Sequence, residues 1–201
     1  MKHRMIKNAL LVLVALVLAG CGTYGDVEQG RVVAYDDNTK TVTFIKDSGT
    51  DASNPKYEVL PPMVFDMPKE ASETGPLPST GLRMKLDLQA KQITMYDPTR
   101  GSFEKIPFEL VAEHKGIDAK KGHPLLQGRD FPEINMDKNE LTLYSQRQME
   151  LVTVKVPREA LYRYKAKDWN AGDEVRIYFK QDNPKQILRF MNVSKTNIYK
   201  R

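Results

Sequence analysis

The side chains able to do chemistry are few and widely spaced. A single thiol, Cys21, follows Leu18, Ala19 and Gly20. Two histidines, His114 and His123, lie in a charged stretch with Glu113 and Asp118, without the HExxH spacing or the cysteine pairs that hold zinc. The thioethers of Met63 and Met67, in PPMVFDMP, are soft enough for Cu(I). Flanking prolines deny them a helix that would align them, so core packing is their expected use. The chain has no GxSxG elbow and no phosphate-cradling glycine loop. Carboxylates such as Asp36, Asp37 and Asp137 fall in turn clusters, where the side chain serves the backbone. None is paired in the way a glycosidase holds two across a cleft. The expectation is a non-enzyme with no metal and no cofactor.

Charge is concentrated toward one end. Residues 158–201 hold eleven Lys and Arg against five Asp and Glu, net +6, whereas residues 21–157 are net −4. The basic segment also carries Tyr162, Tyr164, Trp169, Tyr178, Phe179, Phe190 and Tyr199. Cations interleaved with aromatics suit an anionic ligand, and Arg163, Lys165, Trp169, Arg176 and Arg189 are the candidates to bind an anionic glycan or lipid headgroup. The alternative is a solvated sheet face that happens to be cationic. Single-stranded nucleic acid would fit the same side chains, but the N-terminal segment argues against that partner.

That segment explains the thiol. Lys2, Arg4 and Lys7 precede an apolar run from Ala9 to Ala19, and small residues close it before Cys21, the layout of an export signal. The run is too short for a hydrocarbon core that requires about twenty residues. Leu18, Ala19, Gly20 and Cys21 resemble a bacterial lipobox. The resemblance implies cleavage between Gly20 and Cys21 and a diacylglyceryl thioether on the cysteine, with a further acyl chain on its amino group. Two or more chains make a stable anchor where one is marginal. Gly22 follows in place of the aspartate that would resemble an inner-membrane retention signal, so the expected address is the cell envelope, lipid-anchored, at the periplasmic face of the outer membrane. Loss of residues 1–20 lowers the net charge from +5 to +2 and leaves no cysteine for disulfides, so packing alone must stabilise the fold.

The elements that would position these groups read almost entirely as strands. GRVVAYDDNTKTVTFIKD alternates around a turn cluster, LRMKLDLQAKQITMY alternates again, and PEINMDKNELTLYS and GDEVRIYFKQDNPKQILRFMNV read as two further hairpins. KYEVLPP and QMELVTVKVPREALYRY read as extended pieces, and Phe108 to Lys115 as one short helix. The turn of the last hairpin is placed at Gln181, Asp182, Asn183 and Pro184. The expected organisation is a signal over 1–20, a tether over 21–28, a first β domain over 29–109, a connector over 110–130 and a second β domain over 131–201.

The two halves repeat an order of elements. YDDNTKTVTF resembles MDKNELTLY, pairing Val42 with Leu141 and Phe44 with Leu143. STGLRMKLDLQAKQITMY resembles NAGDEVRIYFKQDNPKQILRF, pairing Gly81 with Gly172 and Met84 with Val175, with three extra residues in the second copy. Few short strands avoid exposed edges most economically by closing. The expected fold is therefore all-β, two small barrels of the OB or SH3-like kind, with a single β-sandwich as the alternative. In length and layout the chain resembles uncharacterised bacterial lipoproteins of unknown function. Its expected role is a membrane-anchored envelope lipoprotein that docks an envelope protein without catalysis; binding of an anionic glycan or lipid headgroup is the alternative.

Overall fold

The computed structural model describes residues 25–51 and 54–196, so Gly20, Cys21 and the signal lie outside the described residues. In chain order the strands are β1 (Gly25–Asp36), β2 (Thr41–Lys46), β3 (Met63–Asp66), β4 (Arg83–Asp87), β5 (Gln92–Asp97), β6 (Ser102–Pro107), β7 (Glu109–Lys115), β8 (Glu133–Asn135), β9 (Glu140–Ser145), β10 (Glu150–Lys155), β11 (Glu174–Lys180) and β12 (Asn183–Asn192). One α-helix, α1 (Arg158–Arg163), and four short 3-10 helices complete the described elements.

Five hairpins are built by one local rule. The residue that ends the first strand accepts, through its side chain, the backbone N–H three positions on: Asp36 from Thr39, Asp87 from Ala90, Asp97 from Arg100, Asn135 from Lys138 and Ser145 from Gln148. One residue later the backbone turns left-handed, at Lys40, Lys91, Gly101, Asn139 and Met149. Asx and hydroxyl side chains mimic a backbone turn in this way, and the left-handed residue returns the chain into its partner strand. Only Gly101 and Asn139 are types that adopt this conformation readily.

Strands β1, β11, β12, β3 and β2 close, in that order, into a barrel. All its ladders are antiparallel except the β12–β3 seam, which has the single register pair Gln186↔Asp66. This is a five-stranded Greek-key arrangement of the OB kind. Val32, Val42, Phe44, Phe65, Val175, Ile177 and Phe179 fill it. Phe44 stacks on Phe65 at 5.6 Å between centroids, and Phe179 tilts against Phe65 at 5.1 Å. Each such side chain stabilises by about 1.5–3 kcal/mol when fully buried. Met63 and Met67 pack in this cluster, the structural use expected of them.

Between β3 and β11 the chain leaves the barrel and builds a second body. A three-stranded sheet, β4-β5-β6, and a four-stranded sheet, β7-β10-β9-β8, share one apolar cluster that includes Ile93, Met95, Leu141, Val152, Val154 and Trp169. Val33 and Ile45 join that cluster from the barrel. A bulge in β1 between Val32 and Ala34 makes this possible: Val32 packs in the barrel while its neighbour Val33 packs in the second core.

The all-β class and a small closed barrel are what the strand pattern led us to expect, but the chain distributes its strands differently. The division into 29–109 and 131–201 does not separate two bodies, because β1, β2 and β3 close on β11 and β12 from the far end of the chain. The second body stays open as two sheets. The repeated hairpins do correspond in burial: Val42, Phe44, Leu141 and Leu143 are all buried, as are Met84 and Val175. Their placement is exchanged, since β1-β2 lies in the barrel and β8-β9 outside it, while β4-β5 lies outside and β11-β12 within. The expected helix over Phe108 to Lys115 is instead β7, fixed by six register pairs to β10 and exposing Leu110 and Val111. The expected extended run through PREALYRY contains α1, which buries Ala160 and Leu161 and places Glu159 and Arg163 where they complement the helix dipole. The last turn is tighter than expected. Lys180 pairs with Asn183, so the extra residues form an irregularity in β12 ahead of Ile187.

Candidate functional site

The five residues of the expected anionic site do not converge. Trp169 is fully buried, edge-on to Tyr164 at 5.6 Å, so its ring is a core element and no platform for a ligand. Arg163, at the end of α1, is ion-paired with Glu104, which also accepts a 2.8 Å hydrogen bond from the Tyr164 hydroxyl. The Arg163 guanidinium holds the Glu104 carboxyl below the usual carboxylate range. Lys165 is exposed and opens the 3-10 helix Ala166–Trp169. Only Arg176 and Arg189 share a surface, on the outer side of β11 and β12. Arg176 donates to Gln29 Oε1 at 2.7 and 3.0 Å, and Arg189 lies 3.6 Å from Glu73. Sequence proximity suggested one site because alternation hides which aromatic faces the core.

A groove of about 760 Å³ lies at one end of the barrel. The β1–β2 turn contributes Tyr35 and Lys40, the end of β3 contributes Met67, and the segment after it contributes Lys69 and Leu77. Lys40 is held 2.6 Å from Asp37, which also accepts from the Tyr35 hydroxyl at 3.2 Å. Gln186 forms the wall at the parallel seam. Its amide donates to the carbonyls of Met67 at 2.8 Å and Ile187 at 3.0 Å, supplying bonds where the β12–β3 ladder has one register pair. The groove therefore mixes apolar side chains with Lys40, Lys69 and Asp66 over the least tightly paired seam of the barrel. A smaller recess of about 280 Å³ lies against the 116–132 connection. Phe131 and Tyr144 line it 6.0 Å apart, and Arg129 lies 5.0 Å from the Phe131 centroid. His123 also borders it, with Nδ1 accepting from the Leu125 N–H at 3.2 Å. His114 is on β7. Among the described residues no group of three or more His, Cys, Asp or Glu could hold a metal ion.

The neck where the barrel meets the inserted body contains groups that sequence reasoning did not find. Arg31, on β1, donates to the carbonyl of Met84 at 2.6 Å and lies 4.2 Å from the Tyr57 ring centroid. Arg83 donates from Nε to the Trp169 carbonyl at 2.9 Å, and burial pulls its guanidinium down to about 10. Burial pushes the Tyr57 hydroxyl up to about 12. Glu174, buried at the start of β11, accepts from Gln29 and lies 3.3 Å from Arg147. Arg31 thus ties the barrel to the insert through a backbone carbonyl, and Arg83 holds β4 to the returning chain. The outgoing and returning chains cross beside them at Gly81 and Gly172. A Cβ on Gly172 would fall 1.8 Å from the Val32 oxygen, and one on Gly81 would fall 2.1 Å from the Asn170 oxygen. The pair matched as repeats in the sequence are neighbours in space.

The shifted carboxylates serve structure. Asp36 is held below its ordinary value by the backbone N–H groups of Thr39 and Asn38, and Asp87 by that of Ala90. This geometry offers binding surfaces, and it ties Asp36, Asp87 and Glu104 to turns and an ion pair. No curated protein and no solved structure matches the chain. Its match to a family covers residues 23–201, most of the chain, and the chain accordingly belongs to DUF4881, a domain family of unknown function.

Proposed function

We propose that this chain is a lipid-anchored lipoprotein of the bacterial cell envelope whose barrel and insert form a non-catalytic docking module for another envelope protein. The observation that carries the reading is the position of the anchor relative to the groove. Cys21 precedes Gly25, the first residue of β1, by four residues. Tyr35 of the groove stands near the opposite end of that strand, roughly 33 Å of extended chain away. A protein held by its N-terminus thus keeps its groove away from the point of attachment and open to partners in the periplasm. The mixture of Met67, Leu77, Lys40 and Lys69 suits a polypeptide surface with an apolar centre and acidic rim.

Two measurements test this. Metabolic labelling with a fatty acid, followed by mass analysis of the N-terminal peptide, is expected to find acyl groups on Cys21 and none on a Cys21→Ser variant; an unmodified mature cysteine would remove the anchor. A photo-crosslinker at position 69 in intact envelopes is expected to give one discrete adduct that a crosslinker at Lys120, on the smaller recess's loop, does not give. Equal adducts from both positions would refute the groove as the docking surface.

A further inference from the structure

The outer face of β1, β11 and β12 has a composition that the groove does not use. The register sets Val27, Tyr178 and Arg189 in one cross-strand row, and Gln29, Arg176 and Met191 in the next. Lys180 stands opposite Gly25 at the end of the barrel. The burial pattern of β11 alternates from Val175 onward, so Arg176, Tyr178 and Lys180 point outward while Val175, Ile177 and Phe179 point into the barrel. These two rows and Lys180 hold three cations; the nearest carboxylate on the same face, Glu174 in the following row, is buried, accepts from Gln29 and is ion-paired with Arg147. Glu73 reaches Arg189 from a separate 3-10 helix, and Asp26, on the other side of β1, accepts from Gln181 at 2.9 Å. Val27 is 59% exposed, and the Tyr178 ring lies over Gly25, where a Cβ would meet it at 2.1 Å. An apolar residue and an amphipathic tyrosine ringed by cations match the interfacial zone of an anionic bilayer.

We infer that this face lies against the anionic lipid surface of the membrane that holds the anchor. The inference rests on the proposed attachment at Cys21, which fixes the distance. Four residues span at most about 14 Å, so Gly25, with Lys180 and Tyr178 beside it, stays within about two Debye lengths of the headgroups. Attachment makes the encounter intramolecular, at an effective concentration in the millimolar range for a short linker. Each Lys or Arg near an anionic leaflet contributes about a fivefold gain in association. Three together give roughly a hundredfold preference for this face over an uncharged one.

The experiment holds the protein by its own thiol. Both apolar cores lie within residues 32–190, so the chain from Cys21 carries all of its packing. It is coupled through Cys21 to a maleimide-bearing lipid in vesicles of phosphatidylglycerol with phosphatidylcholine, or of phosphatidylcholine alone. Hydroxyl-radical footprinting then reads oxidation of Tyr178 against Tyr162, which is 68% exposed on α1. The expected result is several-fold protection of Tyr178 on the anionic vesicles alone, with Tyr162 unchanged. Protection should vanish in the Arg176→Glu, Lys180→Glu, Arg189→Glu triple variant and in molar salt. Equal oxidation of Tyr178 on both vesicle types, or protection that survives the triple variant, overturns the inference. Because coupling is chemical, the outcome is independent of cellular acylation, which the fatty-acid labelling above reads separately.

Discussion

Replacing Gly172 by alanine tests the neck most directly. The added methyl would sit 1.8 Å from the Val32 carbonyl oxygen and 3.1 Å from the Gly81 nitrogen. Neither obstacle is the movable end of a side chain. Clearing them requires β1 and the returning chain to separate, which strains the Val32 N–H bond to Asp173 O (2.9 Å) and the Gly81 N–H bond to Val32 O (3.4 Å). Overpacking of this kind costs about 1–3 kcal/mol, and two weakened backbone hydrogen bonds add about 1 kcal/mol each. The reduced entropy of the unfolded chain returns less than about 1 kcal/mol. The expected loss is about 3–4 kcal/mol, or about 10 °C in Tm for a domain of this size. Urea unfolding of the domain from Gly22, followed by circular dichroism, measures it. Gly101→Ala is the comparison. It has open space around the added methyl but φ +61, so only the left-handed conformation should cost, about 1 kcal/mol. A Gly172→Ala loss no larger than that of Gly101→Ala would refute the argument that close approach of two backbones requires glycine at the neck.

Other outcomes follow from the same contacts. Met149→Gly and Lys91→Gly should each stabilise by several tenths of a kcal/mol, because the left-handed residue of those hairpins is freed of its Cβ conflict; unchanged denaturation midpoints would contradict this. Trp169→Ala should cost about 3–5 kcal/mol as a buried aromatic. Trp169→Phe should cost much less, since the indole N–H has no partner to lose. Asp36, Asp87 and Glu104 have folded pKa values below their ordinary ones. Their stabilisation is therefore complete above the unfolded value of about 4 and is lost as pH falls below it. Thermal melts at pH 7, 4 and 3 should show Tm falling mainly between the last two, and a fall confined to higher pH would contradict the assignment.

The local chemistry of this fold is legible in the sequence because it is made by residues a few positions apart. Alternation in GDEVRIYFK and ITMY gives strands, and an Asp, Asn or Ser at the end of a strand gives the hairpin turn. These are short-range steric and hydrogen-bond effects, complete within six residues. The lone cysteine is legible for the same reason: cations, apolar run and small residues precede it in one continuous stretch, and they motivate the proposed anchor. The pattern from Phe108 to Lys115 suits a short helix and that of Arg158–Arg163 an extended run because neither is long enough to decide against packing. Pairing with β10 and burial against the second core settled them.

Strand partners are set by tertiary structure. The repeated hairpins carry the same buried residues, yet nothing local in β1-β2 distinguishes closure on β4-β5 from closure on β11-β12. The choice is made where the chain crosses itself. Gly81 and Gly172 let two backbones approach, Arg31 and Arg83 bind the exposed carbonyls there, and the β1 bulge sends adjacent valines into different cores. The same long-range choice buries Trp169, separates it from Arg176 and Arg189, and leaves those two cations on an outer strand face. Composition alone determined that the last quarter of the chain would be basic and aromatic. Which of those side chains meet solvent was decided only when strands more than 140 residues apart, at Gln29 and Arg176, became neighbours.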